Sequence, residues 1–188
     1  MDFKKAIKQT SDGANLFVIK MILVYASWKL LYAYITSSDS LLYKGWLALV
    51  DKLSIFYAAA TNSFLQKLGE HTFRVGNVIM MTKDTYNIKV EEHCLAIPAV
   101  YIFSLSILIF SGSWRDKLWF IPLGIAGVML INISRLILLA FIYAHYPSEY
   151  FMFHHSFSFV LFTYSLILAM VYVWMKYYSL TPTSPSQN

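Results

Sequence analysis

Long apolar runs, separated by short polar stretches, are the feature of this chain that most restricts its fold. Runs over 14–35, 94–110, 118–143 and 155–174 contain few charged residues, and about 20 residues of helix are needed to cross the hydrocarbon core of a bilayer. Charged residues make up 13% of the 188 residues, against roughly a quarter in soluble globular chains. We therefore predict an all-α integral membrane protein, a polytopic bundle of about four to five transmembrane helices surrounded by lipid.

The helices are expected to form a single membrane-embedded domain over residues 1–176. No polar stretch is long enough to build a separate soluble domain. Residues 177–188 end in a stretch rich in Ser, Thr and Pro, which is too polar to bury a core. We predict that this tail is disordered.

Two segments upstream of 94–110 depart from the simple spanning pattern. Residues 42–68 carry apolar side chains at helical spacing and polar side chains on another face, which predicts an amphipathic helix. Such a helix can lie along the membrane interface or cross the membrane, and the pattern is compatible with both. Residues 71–92 are polar and rich in Thr, Val, Ile and Tyr, and Val75-Gly76-Asn77-Val78 is a candidate turn. We expect a small extracytoplasmic β hairpin there.

The formal net charge of +5 comes mainly from basic residues that flank the apolar runs. This distribution suits anionic lipid headgroups and helix orientation, and we expect no nucleic-acid partner. Arg115 and Lys117 lie between two runs and Lys176 follows the last one, so the positive-inside rule assigns both sites to the cytoplasm. If the N-terminal lysines are also inside, an odd number of crossings precedes Cys94. Four crossings, with Cys94 at the outer face, satisfy every basic cluster.

Cys94 is the single cysteine of the chain, at the point where Glu91-Glu92-His93 gives way to an apolar run. One cysteine cannot form an internal disulfide. It is therefore a small buried apolar residue, a link to a second chain or a nucleophile. Burial is the commonest of these roles, so the interpretation depends on what lies near the thiol.

Residue spacing brings two further polar side chains to the depth of Cys94. Cys94 lies 20 residues before Trp114, near which the chain turns, and Arg135 lies 21 residues after it. Arg135 lies 10 residues before His145, near the next turn, and His154 lies nine residues after it. At a rise of about 1.5 Å per residue, Cys94, Arg135 and His154 are expected at one level near the outer leaflet. A thiol, a guanidinium and an imidazole at one level predict a nucleophilic site.

Each of these residues also has a simpler interpretation. A charge such as Arg135 inside an apolar run is functional by default, but its side chain can instead reach the headgroups. His154 and His155 can be interfacial side chains, or they can bind a metal together with His93 or His145. No carboxylate–histidine spacing supports a metal site, and we expect neither a metal nor a cofactor.

Taken jointly, the residues favour cysteine–histidine catalysis. A thiol ionises more readily beside a cation such as Arg135 or a protonated histidine, and histidine can carry protons to and from a leaving amine. The arginine can also bind an oxyanion or a substrate carboxylate. Asn132, on the same helical face as Arg135, can orient it or bond a neighbouring helix. Candidates to orient the histidine are Glu149, Glu91 and Glu92, and the only reason to consider them is their proximity in sequence.

These positions resemble the signature of the exosortase/archaeosortase family of membrane transpeptidases, in its short bacterial form. That family has a cysteine at the outer end of a membrane helix, Asn-x-x-Arg within the next helix, and a histidine at the start of another, usually with a small residue four positions later. The matching residues are Cys94, Asn132 to Arg135, and His154 with Ser158, and the resemblance covers residues 91–176. The chain departs from the family where Leu95 and Ala96 follow the cysteine, and the doublet makes His155 an alternative to His154.

The resemblance implies a thiol protease and transpeptidase of the bacterial cytoplasmic (inner) membrane, with its active site on the extracytoplasmic side. Its partners would be exported proteins whose C-terminal sorting signal contains a short motif, an apolar helix and a basic tail. The enzyme would cleave this signal and transfer the new carboxyl end, through a thioester on Cys94, to a surface acceptor. Two other classes stay open: a non-catalytic membrane scaffold or transporter component, and a metal- or haem-binding membrane protein.

Overall fold

The computed structural model describes residues 3–37, 41–81, 87–146 and 159–178, and these residues are mainly helical. The predicted site residues His154 and His155, with Ser158 and Glu149, lie outside the described residues, as do residues 179–188 of the predicted tail. The helices are α1 (Phe3–Thr36), α2 (Leu41–Lys67), α3 (Ile97–Ile109), α4 (Trp114–His145) and α5 (Phe159–Tyr177). The strands are β1 (Thr72–Val75), β2 (Val78–Met81) and β3 (Asn87–Lys89), and a short 3₁₀ helix covers Glu92–Cys94.

Three helical segments of the described ranges are long and apolar enough to cross a membrane: Asn15–Thr36, Trp114–Tyr143 and Val160–Tyr177. The predicted run over 94–110 is helical only over Ile97–Ile109, which has 13 residues. This helix is about 20 Å long, shorter than the roughly 30 Å of a bilayer core. The prediction of a helical membrane protein with a small β element is confirmed, and α3 is its short apolar helix.

Helix α3 is the centre of the bundle and contacts α1, α4 and α5. It runs antiparallel to α1, because Phe17 stacks on Phe110 with 5.6 Å between ring centroids, whereas Ser27 lies 3.2 Å from the hydroxyl of Tyr101 near the other end. We call the end with residues 110–113 the loop end and the end with the three strands the sheet end. The beginning of α1 and the α3–α4 connection therefore share the loop end.

Helix α2 is not among the long apolar segments that could span the membrane. It packs across the sheet end, from Trp46 beside Trp28, with 6.2 Å between ring centroids, to Leu65, which shares a buried cluster with Ile79 of β2. Its Leu42, Leu49 and Phe56, which belong to the apolar face noted in the sequence, are exposed instead of buried. This arrangement agrees with the interfacial alternative, in which that face contacts lipid.

The predicted hairpin is formed by β1 and β2, which are antiparallel and pair Val75 with Val78. Gly76 occupies the turn with a φ of 61°, a conformation that costs glycine little because it lacks a Cβ. The sequence did not indicate β3, which pairs with β2 and completes a sheet of order β1-β2-β3. The chain then leaves β3 and reaches Cys94 within five residues of Lys89. The sheet thus holds the segment that precedes the cysteine.

The interface of α3, α4 and α5 is built around Phe103, Val128 and Trp174, which are buried. Within a bilayer such contacts stabilise a bundle through close van der Waals packing, and small residues permit that packing. Gly124 of α4 is the small residue here, since a Cβ at this position would collide with the ring of Phe103 and would meet Met170 at 2.9 Å.

We expect Gly124→Ala to destabilise the bundle by about 1–3 kcal/mol, because the added methyl group overpacks a filled interface. Gly127→Ala is the matched control on the same helix, since a Cβ there meets nothing within 4 Å and alanine favours the helix. Thermal unfolding of the two variants in detergent measures the difference. Equal unfolding temperatures for the two variants would contradict the packing role of Gly124.

Candidate active site

Cys94 ends the 3₁₀ helix that links the sheet to α3. Its backbone N–H donates to the carbonyl of Glu91 at 2.8 Å, and the N–H of Leu95 donates to Glu92 at 3.1 Å. Helix α3 begins only after Ala96, and Pro98 lies in its first turn, where proline is well tolerated. The cysteine therefore lies on an irregular connection and not on the regular membrane helix that the apolar run predicted.

Ala96 has a φ of 54° and a ψ of 20°, in the left-handed region. For a residue with a Cβ this conformation costs roughly 1–2 kcal/mol. Backbone strain of this kind is often found at active sites and switch regions. The strained residue lies two positions after Cys94.

The side chain of Cys94 is buried, with 7% of its surface exposed. It belongs to an apolar cluster formed with α2, the sheet and α4, which includes Tyr57, Ile79 and Leu136. The burial that the sequence left open as the simplest interpretation is therefore observed. The guanidinium of Arg135 nevertheless lies within electrostatic range of the thiol.

Asn132 of α4 fixes the backbone at the cysteine. Its side chain is 3% exposed, and its Nδ2 donates to the carbonyl oxygen of Cys94 at 2.6 Å. The hydroxyl of Tyr57 lies close to the Asn132 side chain. Of the two roles considered for Asn132, the structure favours the bond to a neighbouring segment.

Tyr57 was not identified from the sequence. It lies 11 residues after Trp46, which is about three helical turns, so the two side chains share the inward face of α2. Periodicity measured from Trp46 was the signal that could have found it. Nothing in the sequence of α2 indicated that Tyr57 would lie near Asn132 of α4.

Arg135 is half-buried and lines two cavities, one of which also contacts the residues on either side of Cys94. One cavity of about 140 Å³ lies between the start of α3, α4 and α5, and its lining includes His93, Ala96, Asn132, Arg135, Thr163 and Tyr164. Another of about 270 Å³ is lined by Arg135 and by apolar residues that include Ile131 and Phe162. The Nε of Arg135 is buried and has no hydrogen-bond partner among the described residues. A charge held at an open cavity is suited to bind a carbonyl, oxyanion or carboxylate.

Cys94 and Arg135 lie at nearly the same level along the bundle, but Arg135 is displaced from Cys94 by about one helical turn of α4. The connection between α3 and α4 lies at 110–113, slightly earlier than the predicted turn at Trp114. Residues 94–96 are not α-helical. As a result Asn132 lies opposite the backbone of Cys94, and Arg135 lies three residues, about one turn, beyond it.

Two of the described histidines at the sheet end, His93 and His145, lie in different places. His93 is exposed, lies 3.4 Å from Glu91 and lines the smaller Arg135 cavity. His145 stacks on Phe141 of α4 at 4.3 Å and lies 3.9 Å from Glu70, which lies between α2 and β1. Within the described ranges no group of three His, Cys, Asp or Glu side chains could hold a metal ion.

Both described acids near the cysteine have other partners. Glu91 pairs with Lys89 at 2.9 Å, and this lysine holds the pKa of the Glu91 carboxyl below its usual value, with a smaller contribution from His93. Glu92 lies close to the hydroxyl of Tyr32 of α1. These contacts therefore give no evidence that Glu91 or Glu92 orients a catalytic histidine.

We expect Asn132→Ala to lower the free energy of unfolding by about 1–3 kcal/mol, because it leaves the buried carbonyl of Cys94 without its donor. Ser134→Ala is a suitable control, because the Ser134 hydroxyl is exposed and donates only to Leu130 of its own helix, at 3.0 Å. Thermal unfolding in detergent compares the two. The assignment fails if Asn132→Ala is as stable as Ser134→Ala.

Comparison with known proteins gives one family for this chain. No curated protein and no solved structure matches it. The family model described as "Transmembrane exosortase (Exosortase_EpsH)" matches residues 14–171, which is most of the chain. This match includes α2, the sheet, Cys94, Asn132 and Arg135. It also covers two of the segments that could span a membrane and most of the third, Val160–Tyr177. The chain therefore belongs to the transmembrane exosortase family.

Proposed function

We propose that this protein is a membrane cysteine protease and transpeptidase that removes C-terminal sorting signals from exported proteins. The observation that carries the proposal is the contact of α4 with the Cys94 segment: Asn132 holds the Cys94 carbonyl at 2.6 Å, and Arg135, one turn further along the same helix, lines a cavity together with Asn132. A buried cysteine with only a packing role has no need of a membrane-embedded arginine, which is costly to keep in an apolar run. Family membership supports the same class of activity.

In the first half of the reaction, Cys94 forms a covalent intermediate. The thiol gives its proton to a histidine, for which His154 is the first candidate and His155 the alternative, and Sγ attacks the scissile carbonyl carbon. Arg135 stabilises the negative charge that develops on the carbonyl oxygen. The C–N bond then breaks and the histidine returns the proton to the leaving amine. The product is a thioester between Cys94 and the new carboxyl end.

In the second half, an amine or hydroxyl group of a surface acceptor attacks the thioester carbonyl. The acceptor loses its proton to the histidine, the C–S bond breaks, and the thiolate takes the proton back. The cavity of about 140 Å³ that Arg135 and Asn132 line is the proposed site for the scissile carbonyl. The 3₁₀ helix must turn the 7%-exposed thiol toward this cavity, and strained Ala96 is the residue about which we propose that it turns.

The proposed location is the bacterial cytoplasmic membrane, with the sheet end on the extracytoplasmic side. Arg115 and Lys117 are at the loop end, which the positive-inside rule assigns to the cytoplasm. Exported substrates would then reach Cys94 after their translocation, while the basic tail of their sorting signal remains at the opposite face. The substrate helix would lie in the bilayer beside the bundle.

A processing assay tests the proposal. The substrate is an exported protein of the same organism that ends in a short motif, an apolar helix and a basic tail, and it is followed by its change in mass. We expect cleavage with the full chain and an adduct on Cys94, which hydroxylamine should release. His154→Gln and His155→Gln, tested separately, identify the proton carrier, since only one should abolish cleavage. Cleavage that persists without any adduct on Cys94 would contradict the thioester.

A non-catalytic scaffold is the second candidate, and the burial of Cys94 in an apolar cluster is the observation that favours it. A scaffold requires the fold but not the thiol. In that case, variants of Cys94 that remain folded would support normal protein sorting. The same processing assay therefore separates the two functions.

A further inference from the structure

A second recess lies at the sheet end, between α1, α2 and the start of α3, on the other side of His93 from the Arg135 cavity. Its volume is about 230 Å³. His93 lines both this recess and the smaller Arg135 cavity. The proposed cleavage and transfer steps assign no role to the residues that line this recess. Its lining consists of Trp28, Lys29, Tyr32, Trp46, Glu92, His93, Ile97 and Pro98.

One wall of this recess is aromatic and carries a carboxylate. Trp28, Tyr32 and Trp46 are mutual neighbours, with ring centroids 5.8, 6.2 and 5.9 Å apart. Glu92 lines the same recess, and its carboxylate lies close to the hydroxyl of Tyr32. Aromatic faces attract organic ammonium groups, and an adjacent carboxylate adds a direct charge partner. This wall is therefore suited to an ammonium group.

The same recess also offers donors for an anion. The indole Nε1 of Trp46 is buried and has no hydrogen-bond partner among the described residues, although an unpaired buried donor destabilises a fold. Lys29, which is exposed, adds a positive charge to the lining. A ligand that carries both charges, one against each part of the recess, satisfies these groups together.

The surroundings of the recess are those of a membrane surface. Leu30, Leu31 and Leu42 lie next to it in sequence and are exposed, as expected for side chains in contact with acyl chains. Trp28, Lys29 and Tyr32 of this lining belong to the sheet-end half of Asn15–Thr36, a segment that could span the membrane. Tryptophan and tyrosine are enriched where such helices leave the hydrocarbon core. A ligand of this recess thus meets headgroups and acyl chains at once.

We propose that this recess binds the headgroup of a zwitterionic phospholipid of the ethanolamine type. The ammonium group lies against Trp28, Tyr32 and Glu92, and the phosphate accepts from Trp46 Nε1 and pairs with Lys29. The acyl chains follow the exposed leucines of α1 and α2. The proposal does not depend on the cleavage reaction, because it concerns equilibrium binding to the resting protein.

Native mass spectrometry of the delipidated full chain tests the proposal, with equal amounts of dioleoyl phosphatidylethanolamine and dioleoyl phosphatidylglycerol. We expect the ethanolamine lipid to be bound in preference, and Glu92→Gln to reduce that preference about tenfold. Glu91→Gln is the matched control, since Glu91 is the neighbouring acid and pairs with Lys89 instead. Equal binding of the two lipids by the unmodified protein would overturn the proposal.

Further variants separate the two halves of the headgroup. Lys29→Gln should weaken both lipids while it preserves the preference, and Lys20→Gln, which changes a lysine beside Phe110 at the loop end, should change neither. If Glu92→Gln does not fold, Tyr32→Phe removes only the hydroxyl that lies close to Glu92 and should lower the preference in the same direction. Soluble phosphoethanolamine should bind far more weakly than the lipid. Equal affinity for the soluble compound would reject a membrane lipid as the ligand.

Discussion

Cys94→Ala is expected to abolish substrate processing, with a loss of at least about 10³-fold in rate, while the protein remains folded. The loss follows from the removal of the nucleophile, since no other thiol is present in the chain and the residual groups can only polarise the substrate. The substitution removes one sulfur atom from an apolar cluster, so the stability cost should be about 1 kcal/mol. The cleavage rate per folded molecule, measured in membranes with quantified protein, is the relevant measurement.

Ile79→Val is the control for this experiment. Ile79 is fully buried in the same cluster as Cys94, and the loss of one methylene costs about 0.5–1.5 kcal/mol, so the two variants disturb the packing to a similar extent. Ile79→Val should keep its cleavage rate. If the two variants process substrate equally well, Cys94 is a packing residue and the proposed thioester mechanism is wrong.

The general class of the fold could be predicted because lipid imposes simple requirements on a chain. A run such as 118–143 is apolar over more than the length of a bilayer crossing, and only a helix satisfies its backbone there. The same argument failed at 94–110, since apolar character alone does not reveal where a helix begins. Helix α3 begins only at Ile97, because the 3₁₀ helix and the left-handed Ala96 precede it. The composition of the run predicts neither feature.

The site could be predicted only in part, because spacing along a helix gives depth but not direction. Counting residues brought Cys94 and Arg135 to nearly the same level, and the structure brings them within electrostatic range of each other. The contact between Asn132 and the Cys94 carbonyl depends on how α4 is rotated against α3, which follows from Gly124 and Phe103 at their interface. Tyr57 enters from α2, whose path across the sheet end could not be derived from its amphipathic pattern.

Arg135→Gln is expected to lower the cleavage rate by about 10²–10³-fold, the usual effect of the loss of one group that stabilises an oxyanion. The same substitution should leave the protein equally stable or more stable, because a charge held in an apolar run is costly and the Arg135 Nε has no hydrogen-bond partner among the described residues. Lower activity combined with unchanged or higher stability is a result that a purely structural arginine cannot produce. Cleavage rates and thermal unfolding in detergent supply the two measurements.

Arg135→Lys refines this prediction, since it retains the charge but replaces the planar guanidinium by a single ammonium group. If the geometry of the guanidinium matters, the lysine variant should recover only a small part of the lost rate. Arg115→Gln is the matched control, because Arg115 is exposed at the start of the same helix and should affect neither measurement. An Arg135→Gln protein that cleaves at the normal rate would show that the cation serves only to anchor α4 to the headgroups, and the catalytic site would then lack its oxyanion partner.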